Sequence, residues 1–203
     1  MKKINVFYVW GYGSSPESSA IEYLKNGLGN QFNVISDYYA QYNPKEAIFD
    51  INKYIKEYNI DLIVGSSLGG YLAMQLTNIP KVIINPCVRP DIELPKLTNE
   101  VDVPNTDNPE ETHKEKVPAV PEHIVNFYTD YISEHNVWEN YNENEDKHTV
   151  FVMGNNDEVL GNRYLEEVKN HASSVVISEQ GHGNTQESIN TFVVPEIKKM
   201  FNM

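Results

Sequence analysis

The chain has 203 residues and a formal net charge of −13 at pH 7, and 40% of its residues are hydrophobic. This composition suits a compact globular domain and disfavours a disordered chain. The negative charge would repel a polyanion, so nucleic acid is not an expected partner. No apolar run approaches the roughly 18 to 20 residues that a membrane-spanning helix needs. The single cysteine, Cys87, cannot form an internal disulfide, and no signal-peptide cleavage site follows the basic N-terminus. These features favour the cytoplasm.

Short apolar runs rich in β-branched residues predict six strands, most of them followed by a helical pattern. The predicted strands are 4–10, 32–36, 60–64, 81–85, 149–153 and 174–178. Helices are predicted to begin at Ser15, Pro44, Leu68 and Gln186, and Pro195 is expected to kink or split the last one. Short buried strands that alternate with helices are typical of a mainly parallel sheet with helices on both faces. We therefore predict an α/β fold whose active site lies beyond the carboxyl ends of the strands.

Residues 91–147, before the fifth strand, interrupt this alternation. The first half of the segment is rich in proline and is expected to form irregular loop, whereas 123–138 has helical spacing. A structureless loop of this length is unusual inside a compact domain, and such insertions are often lids. We expect one domain over 1–203 with a lid-like insertion at 91–147. Its aromatic side chains are expected either to line an apolar pocket or to pack the insertion helix on the domain: Phe127, Tyr128, Tyr131 and Trp138.

The sharpest chemical signal is residues 65–69, Gly-Ser-Ser-Leu-Gly, between the third strand and the next helix. They fit the G-x-S-x-G pattern of a nucleophile elbow, with Ser67 as the central serine. A serine hydroxyl is a weak nucleophile, so it needs a fixed, exposed position and a neighbouring base. Glycines also follow the first strand, and we expect the backbone N–H groups of Tyr12 and Leu68 to stabilise an oxyanion. The alternative for 65–69 is a glycine-rich connecting turn.

The last two strands end in residues that complete this chemistry. Asp157 follows the fifth strand and is the expected acid that orients an imidazole, with its neighbour Glu158 as the less favoured choice. His182 lies between two glycines after the sixth strand, where a general base could reach both serine and acid. The chain order Ser67, Asp157, His182 is the one expected for a nucleophile elbow of this type.

Cys87 and Arg89 are two further candidates for a functional role. Cys87 is interpreted as a small core residue rather than as a second nucleophile. Arg89 follows the fourth strand and is expected to pair with a nearby acid, the alternative being contact with an anionic substrate group. No spacing of cysteine, histidine and carboxylate residues indicates a metal site. Residues 65–70 lack the lysine of a phosphate-binding loop.

Several of these stretches together resemble the YqiA-type small bacterial esterases, which are single-domain α/β-hydrolases. The matching stretches are 11–16 (Gly-Tyr-Gly-Ser-Ser-Pro), 64–71 (Val-Gly-Ser-Ser-Leu-Gly-Gly-Tyr), 85–90 (Asn-Pro-Cys-Val-Arg-Pro), 157–160 (Asp-Glu-Val-Leu) and 181–182 (Gly-His). They extend over nearly the whole chain in the same order. The sequence departs from the family at Trp10, where the family usually carries histidine, and at 183–185.

The resemblance implies an α/β-hydrolase fold with Ser67, Asp157 and His182 as the catalytic triad. It also implies that a small-molecule acyl ester or thioester is hydrolysed without a cofactor. Two alternatives stay open: a non-catalytic binding protein with a hydrolase-like fold, and an acyltransferase that uses the same serine.

Overall fold

The computed structural model describes residues 2–104, 112–160 and 162–203. Its strands are β1 (Ile4–Val9), β2 (Phe32–Ile35), β3 (Leu62–Ser66), β4 (Lys81–Ile84), β5 (Thr98–Pro104), β6 (Thr112–Pro118), β7 (Thr149–Gly154) and β8 (Val175–Ser178). Its helices are α1 (Ser19–Leu28), α2 (Pro44–Glu57), α3 (Leu68–Met74), α4 (Pro90–Glu93), α5 (Glu122–Glu134), α6 (Glu143–Lys147), α7 (Arg163–His171), α8 (Gln186–Ser188) and α9 (Val194–Met200). A 3₁₀ turn, Leu94–Lys96, follows α4.

Within the described residues, six strands form one sheet in the order β2-β1-β3-β4-β7-β8, and every neighbouring pair is parallel. The parallel six-stranded sheet predicted from the sequence is therefore confirmed. Strands β3, β4 and β7 are buried along their whole length. This burial explains their continuous apolar sequences, because strands of a parallel sheet are covered on both faces.

The strand order also explains how helices cover both faces. The step from β1 to β2 runs in one direction along the sheet, and the steps from β2 to β3 and from β3 to β4 run in the other. Because crossovers between parallel strands are right-handed, α1 lies on one face and α2 and α3 lie on the opposite face. The packing agrees, since α1 contacts α8 and α9 whereas α2 contacts α3 and α5.

Two helix predictions differ from the structure in detail. Helix α1 begins at Ser19 rather than near Ser15. The Ser15 hydroxyl accepts from the Glu17 N–H at 3.2 Å, so the predicted start forms a separate turn instead. The last helix contains a π-helical turn, Ile189–Val193, just before Pro195. The Val194 N–H bonds to the Ile189 carbonyl five residues back, and the wider turn lets the helix continue past a residue without an N–H.

The expectation of irregular loop in the first half of 91–147 is wrong, because β5 and β6 pair there as an antiparallel hairpin. The described residues of β6 are almost entirely exposed, so no apolar face marked the strand in the sequence. Opposite charges on the two strands stabilise the hairpin instead. Lys114 Nζ lies 2.8 Å from Asp102 Oδ1, and Glu100 is opposite Lys116. The predicted helix in the second half is present as α5.

A buried ion pair joins the start of β4 to α6. The side chains of Lys81 and Glu145 are 1% and 5% exposed and contact each other directly. The ammonium of Lys81 also donates to the Leu76 carbonyl at 2.7 Å, and Glu145 accepts from the Asn78 N–H at 2.7 Å. Burial lowers the pKa of Lys81, and Glu145 opposes this shift.

No helix in the described parts of the chain is long and apolar enough to cross a membrane.

The substitution Glu145→Ala should lower the free energy of unfolding by about 3–5 kcal/mol, because it leaves the Lys81 ammonium buried without its partner. Urea unfolding followed by circular dichroism measures the change. The control is Glu143→Ala, which removes an exposed partner of Lys147 and should cost at most about 1 kcal/mol. The double variant Lys81→Met, Glu145→Leu should recover most of the loss. Equal stability of Glu145→Ala and Glu143→Ala would contradict this account.

Candidate active site

Ser67 lies in the turn between β3 and α3 and has a backbone conformation that is unusual for a residue with a side chain. Its φ is 55° and its ψ is −121°, a region in which most residues are strained. Backbone hydrogen bonds hold the turn in place. The Ser67 N–H donates to the Ile84 carbonyl at 3.0 Å, and its carbonyl accepts from the Cys87 N–H at 3.0 Å. The serine is therefore attached to the carboxyl end of β4 as well as to β3.

The glycines that flank Ser67 allow the chain to approach itself closely. A Cβ on Gly69 would lie 2.1 Å from the Val9 carbonyl oxygen, and one on Gly65 would lie 2.6 Å from the Gly69 carbonyl oxygen. Real Cβ atoms do not occur at such distances. A Cβ on Gly11 would lie 3.1 Å from the Ser67 Cβ, which is closer than most real Cβ contacts. The elbow and the loop after β1 can therefore meet only where side chains are absent.

The structure brings together the three residues predicted as a triad. The Nε2 atom of His182 lies 2.9 Å from Ser67 Oγ, and its Nδ1 atom lies 2.8 Å from Asp157 Oδ2. The side chain of Asp157 is 3% exposed and that of His182 is 16% exposed. The three side chains come from loops after β3, β7 and β8, whose carboxyl ends share one edge of the sheet.

Asp157 is the carboxylate that contacts the imidazole, as expected in preference to Glu158. Its second oxygen, Oδ1, accepts from the N–H groups of Val159 at 2.9 Å and Leu160 at 2.7 Å. Burial raises the pKa of Asp157, but the hydrogen bonds from His182, Leu160 and Val159 outweigh burial and lower it overall. The carboxylate is therefore ionised at neutral pH.

Two residues that sequence reasoning did not select hold the histidine loop. Glu158 Oε2 accepts from the His182 backbone N–H at 3.0 Å. Asn85, just after β4, accepts from the Gly154 N–H at 2.6 Å and donates to the Gly181 carbonyl at 3.2 Å. These bonds join the loops after β4, β7 and β8. Asn85 was visible in the sequence only as the start of the 85–90 match, because its partners are 69 and 96 residues away.

The two predicted oxyanion donors lie beside Ser67. Tyr12 and Leu68 line the same cavity as the serine. Within the described parts of the chain, neither backbone N–H has a hydrogen-bond acceptor.

Hydrogen bonds to the segment after β2 fix the loop that carries Tyr12. The indole of Trp10 donates to the Asp37 carbonyl at 3.2 Å. The amide oxygen of Gln41 accepts from the Gly13 N–H at 3.2 Å. Trp10, the position at which the sequence departs from the family pattern, thus anchors this loop.

A cavity of about 240 Å³ opens at Ser67 and is mainly apolar. Beyond Tyr12, Ser67 and Leu68, its lining consists of Cys87, Glu93, Leu94, Lys96, Leu97, Val159 and Leu160. The aromatic residues of the insertion are not part of this lining. Tyr128 is fully buried and its hydroxyl donates to the Gln41 carbonyl at 2.7 Å, and Trp138 stacks on His171. Tyr128 and Trp138 therefore have the packing role, one of the two expected, whereas the side chain of Phe127 is exposed.

The structure agrees with the interpretation of Cys87 as a core residue and of Arg89 as the partner of a nearby acid. Cys87 is buried, and burial raises the pKa of its thiol, which disfavours the thiolate that a nucleophile needs. The guanidinium of Arg89 forms two hydrogen bonds with Asp91, of 2.9 and 2.5 Å, and does not line the Ser67 cavity. The described residues contain no group of three or more histidine, cysteine or acidic side chains that could hold a metal ion.

Residues 5–193 match the family described as uncharacterised protein family UPF0227. No curated protein matches the sequence significantly. Among solved structures, Est1E from Butyrivibrio proteoclasticus is similar with a TM-score of 0.70 at 14% identity, over 100% of this chain and 90% of that one. Alpha/beta hydrolase domain-containing protein 10 from mouse has a TM-score of 0.61 at 15% identity, over 99% and 90%. The esterase domain of a Rhodothermus marinus protein has a TM-score of 0.60 at 12% identity, over 97% and 85%.

At these identities the structural similarity shows the fold alone, and that fold is the α/β-hydrolase fold predicted above. The match of residues 5–193 covers most of the sequence and confirms the family resemblance found in it. The chain therefore belongs to uncharacterised protein family UPF0227.

Proposed function

We propose that the chain is a serine hydrolase that cleaves carboxylic esters or acyl thioesters through an acyl-enzyme. The observation that carries the proposal is the continuous chain of hydrogen bonds from Asp157 through His182 to Ser67, with distances of 2.8 and 2.9 Å. Such an arrangement activates a serine hydroxyl, since a base lies within reach of its proton and an acid orients the base. The strained turn places this hydroxyl in the lining of the apolar cavity, whose volume of about 240 Å³ is large enough for an acyl group.

In the first half of the reaction, Ser67 Oγ attacks the carbonyl carbon and His182 Nε2 takes the hydroxyl proton. The ionised Asp157 stabilises the imidazolium that forms. The carbonyl oxygen becomes an oxyanion, for which the N–H groups of Tyr12 and Leu68 are the proposed donors. A single donor of this kind is worth roughly 100- to 1000-fold in rate.

The tetrahedral species then collapses to an ester of Ser67. The bond from the carbonyl carbon to the leaving oxygen or sulfur breaks, and His182 Nε2 returns its proton to that atom. In the second half, water attacks the carbonyl carbon of the Ser67 ester with His182 again as base. The bond from that carbon to Ser67 Oγ then breaks, His182 Nε2 returns the proton to Oγ, and the free acid leaves. These reaction steps require neither a redox change nor a metal ion.

The apolar cavity is the proposed site of the acyl group. Its walls combine the loop after β7, through Val159 and Leu160, with Leu94 and Leu97 from the segment after β4. We propose that 91–147 is an insertion within a single domain and that it shapes acyl selection. The names of the similar proteins agree with carboxylic-ester chemistry, since one is an esterase domain and Est1E was also solved with ferulic acid bound.

A fluorophosphonate probe should label the wild-type chain, and Ser67→Ala should abolish the labelling, because the probe reacts only with an activated serine. In-gel fluorescence measures the reaction. Ser133→Ala, an exposed serine on α5, is the matched control and should label like wild type. Equal labelling of Ser67→Ala would contradict the nucleophile assignment. Labelling without hydrolysis of short p-nitrophenyl esters would favour an acyltransferase or a hydrolase of narrow specificity.

The substitution Asp157→Asn should lower kcat by roughly 10⁴-fold, because the amide favours the wrong tautomer of the imidazole. Glu158→Gln is the matched control one residue away. Its amide oxygen can still accept from the His182 N–H, so its loss should be less than about tenfold. Hydrolysis of p-nitrophenyl butyrate measures both, and circular dichroism verifies that both variants fold. A larger loss for Glu158→Gln than for Asp157→Asn would reverse the assignment of the acid.

A further inference from the structure

A second cavity, of about 250 Å³, also has Ser67 in its lining. Ser67 and Tyr12 line both cavities, so they form the boundary between them. His182 lines the second cavity, whereas the described lining of the apolar cavity does not include it. The second cavity is therefore the space in which a group on the carbonyl carbon can meet the His182 imidazole.

This arrangement determines which part of a substrate each cavity takes, if the proposed function holds. During collapse of the tetrahedral species, the bond between the carbonyl carbon and the leaving oxygen breaks. The proton moves from His182 Nε2 to that oxygen, which leaves as a neutral alcohol. The leaving oxygen must therefore be near His182, and the rest of the alcohol must occupy the second cavity. The acyl chain is then left to the apolar cavity.

The chemistry of the second cavity differs sharply from that of the first. Its lining includes five hydroxyl side chains and one amide besides Ser67 and Tyr12: Tyr8, Ser14, Ser18, Ser19, Ser66 and Asn184. Among the described lining residues there is no lysine, arginine or carboxylate. A leaving group that bears phosphates would find no lysine or arginine there, and the whole chain carries a net charge of −13.

Asn184 has an acceptor that the protein leaves unused. Its Nδ2 group donates to Ser66 Oγ at 3.0 Å and to the Tyr8 hydroxyl at 3.3 Å. These two bonds use both amide protons. Its Oδ1 atom is buried and has no hydrogen-bond partner among the described residues. An unpaired buried acceptor is costly, and this one belongs to a residue that lines the second cavity.

Ser18 provides a second unused group in the same cavity. It occupies the N-cap position of α1, where a serine side chain normally accepts from the helix backbone, but no such bond forms. Its Oγ atom is buried without a partner in the described part of the chain. Tyr8 adds a third polar group, since burial raises its pKa to about 12 and the phenol stays protonated and able to donate.

From this placement we infer that the second cavity binds the alcohol part of the ester, and that this alcohol is neutral and polyhydroxylated, of glycerol or monosaccharide size. The unpaired Asn184 Oδ1 and Ser18 Oγ are the groups that select it. The inference rests on the proposed function and deepens it, because it assigns the leaving group of the same serine. Asn184 also gives a role to the 183–185 stretch, which departs from the family pattern.

The test compares glyceryl monobutyrate with butyl butyrate, which share one acyl group and differ in the hydroxyls of the alcohol. Acid release in a pH-stat gives kcat/KM for both esters. The wild-type chain should prefer the glyceryl ester by about tenfold or more, since two hydrogen bonds of roughly three- to tenfold each are available. Ser18→Ala and Asn184→Ala should each reduce this preference by roughly three- to tenfold. Ser18→Ala breaks no hydrogen bond seen within the described chain, so it should fold even if Asn184→Ala does not.

Ser133→Ala is the control and should keep the wild-type preference. Hydrolysis of both esters at similar kcat/KM would overturn the inference and leave the proposed function standing. A preference that survives unchanged in Ser18→Ala and in folded Asn184→Ala would also overturn it, since other groups would then select the alcohol. Absence of hydrolysis of either ester, together with absence of fluorophosphonate labelling, would overturn the proposed function and the inference with it.

Discussion

Ser67 holds a backbone conformation, with φ of 55°, that residues with side chains rarely adopt, and the geometry of the whole site depends on the contacts that keep it there. The cost of such a conformation is of order 1–3 kcal/mol, so the surroundings must over-determine it. They do so with buried β3 on one side, buried α3 on the other and two backbone hydrogen bonds to the end of β4. The turn also depends on the absence of side chains at Gly65 and Gly69, because a Cβ at either position would lie within 2.6 Å of a backbone carbonyl oxygen.

Once the serine is fixed, the position of the histidine follows from bonds between loops. Asn85 joins the loops after β7 and β8, and Glu158 holds the His182 backbone. Asp157 then binds the ring, and the hydrogen bonds from His182 and from the backbone N–H groups of Leu160 and Val159 lower the pKa of Asp157 despite its burial. The imidazole therefore lies within hydrogen-bond distance of Ser67, which lines both the apolar cavity and the second cavity. In the proposed reaction, the apolar cavity binds the acyl group and the second cavity binds the alcohol.

Much of this fold could be predicted because its signals are local. Each strand of the parallel sheet is a short apolar run, and the elbow, Asp157 and His182 each follow such a run directly. The parallel arrangement then brings the carboxyl ends of the strands to one edge without knowledge of any contact. The hairpin of β5 and β6 was missed because its exposed residues carry charges rather than an alternating apolar face.

The remaining parts of the site depend on contacts between distant residues, which one sequence does not reveal. The links from Asn85 to the loop after β8 and from Asn184 to Ser66 connect residues 96 and 118 positions apart. The lining of the second cavity likewise combines residues from β1, the start of α1 and the loop after β8. Trp10 appeared in the sequence as a departure from the family, and its role as an anchor required the position of Asp37.

Trapping of the covalent intermediate tests the central claim most directly. We would incubate the wild-type chain with p-nitrophenyl dimethylcarbamate, whose carbamoyl adduct with serine is released slowly, and identify the modified peptide by mass spectrometry. The account predicts one equivalent of p-nitrophenol and one dimethylcarbamoyl group on Ser67. A carbamoyl group on another residue, or turnover of short esters with no adduct on Ser67, would contradict it.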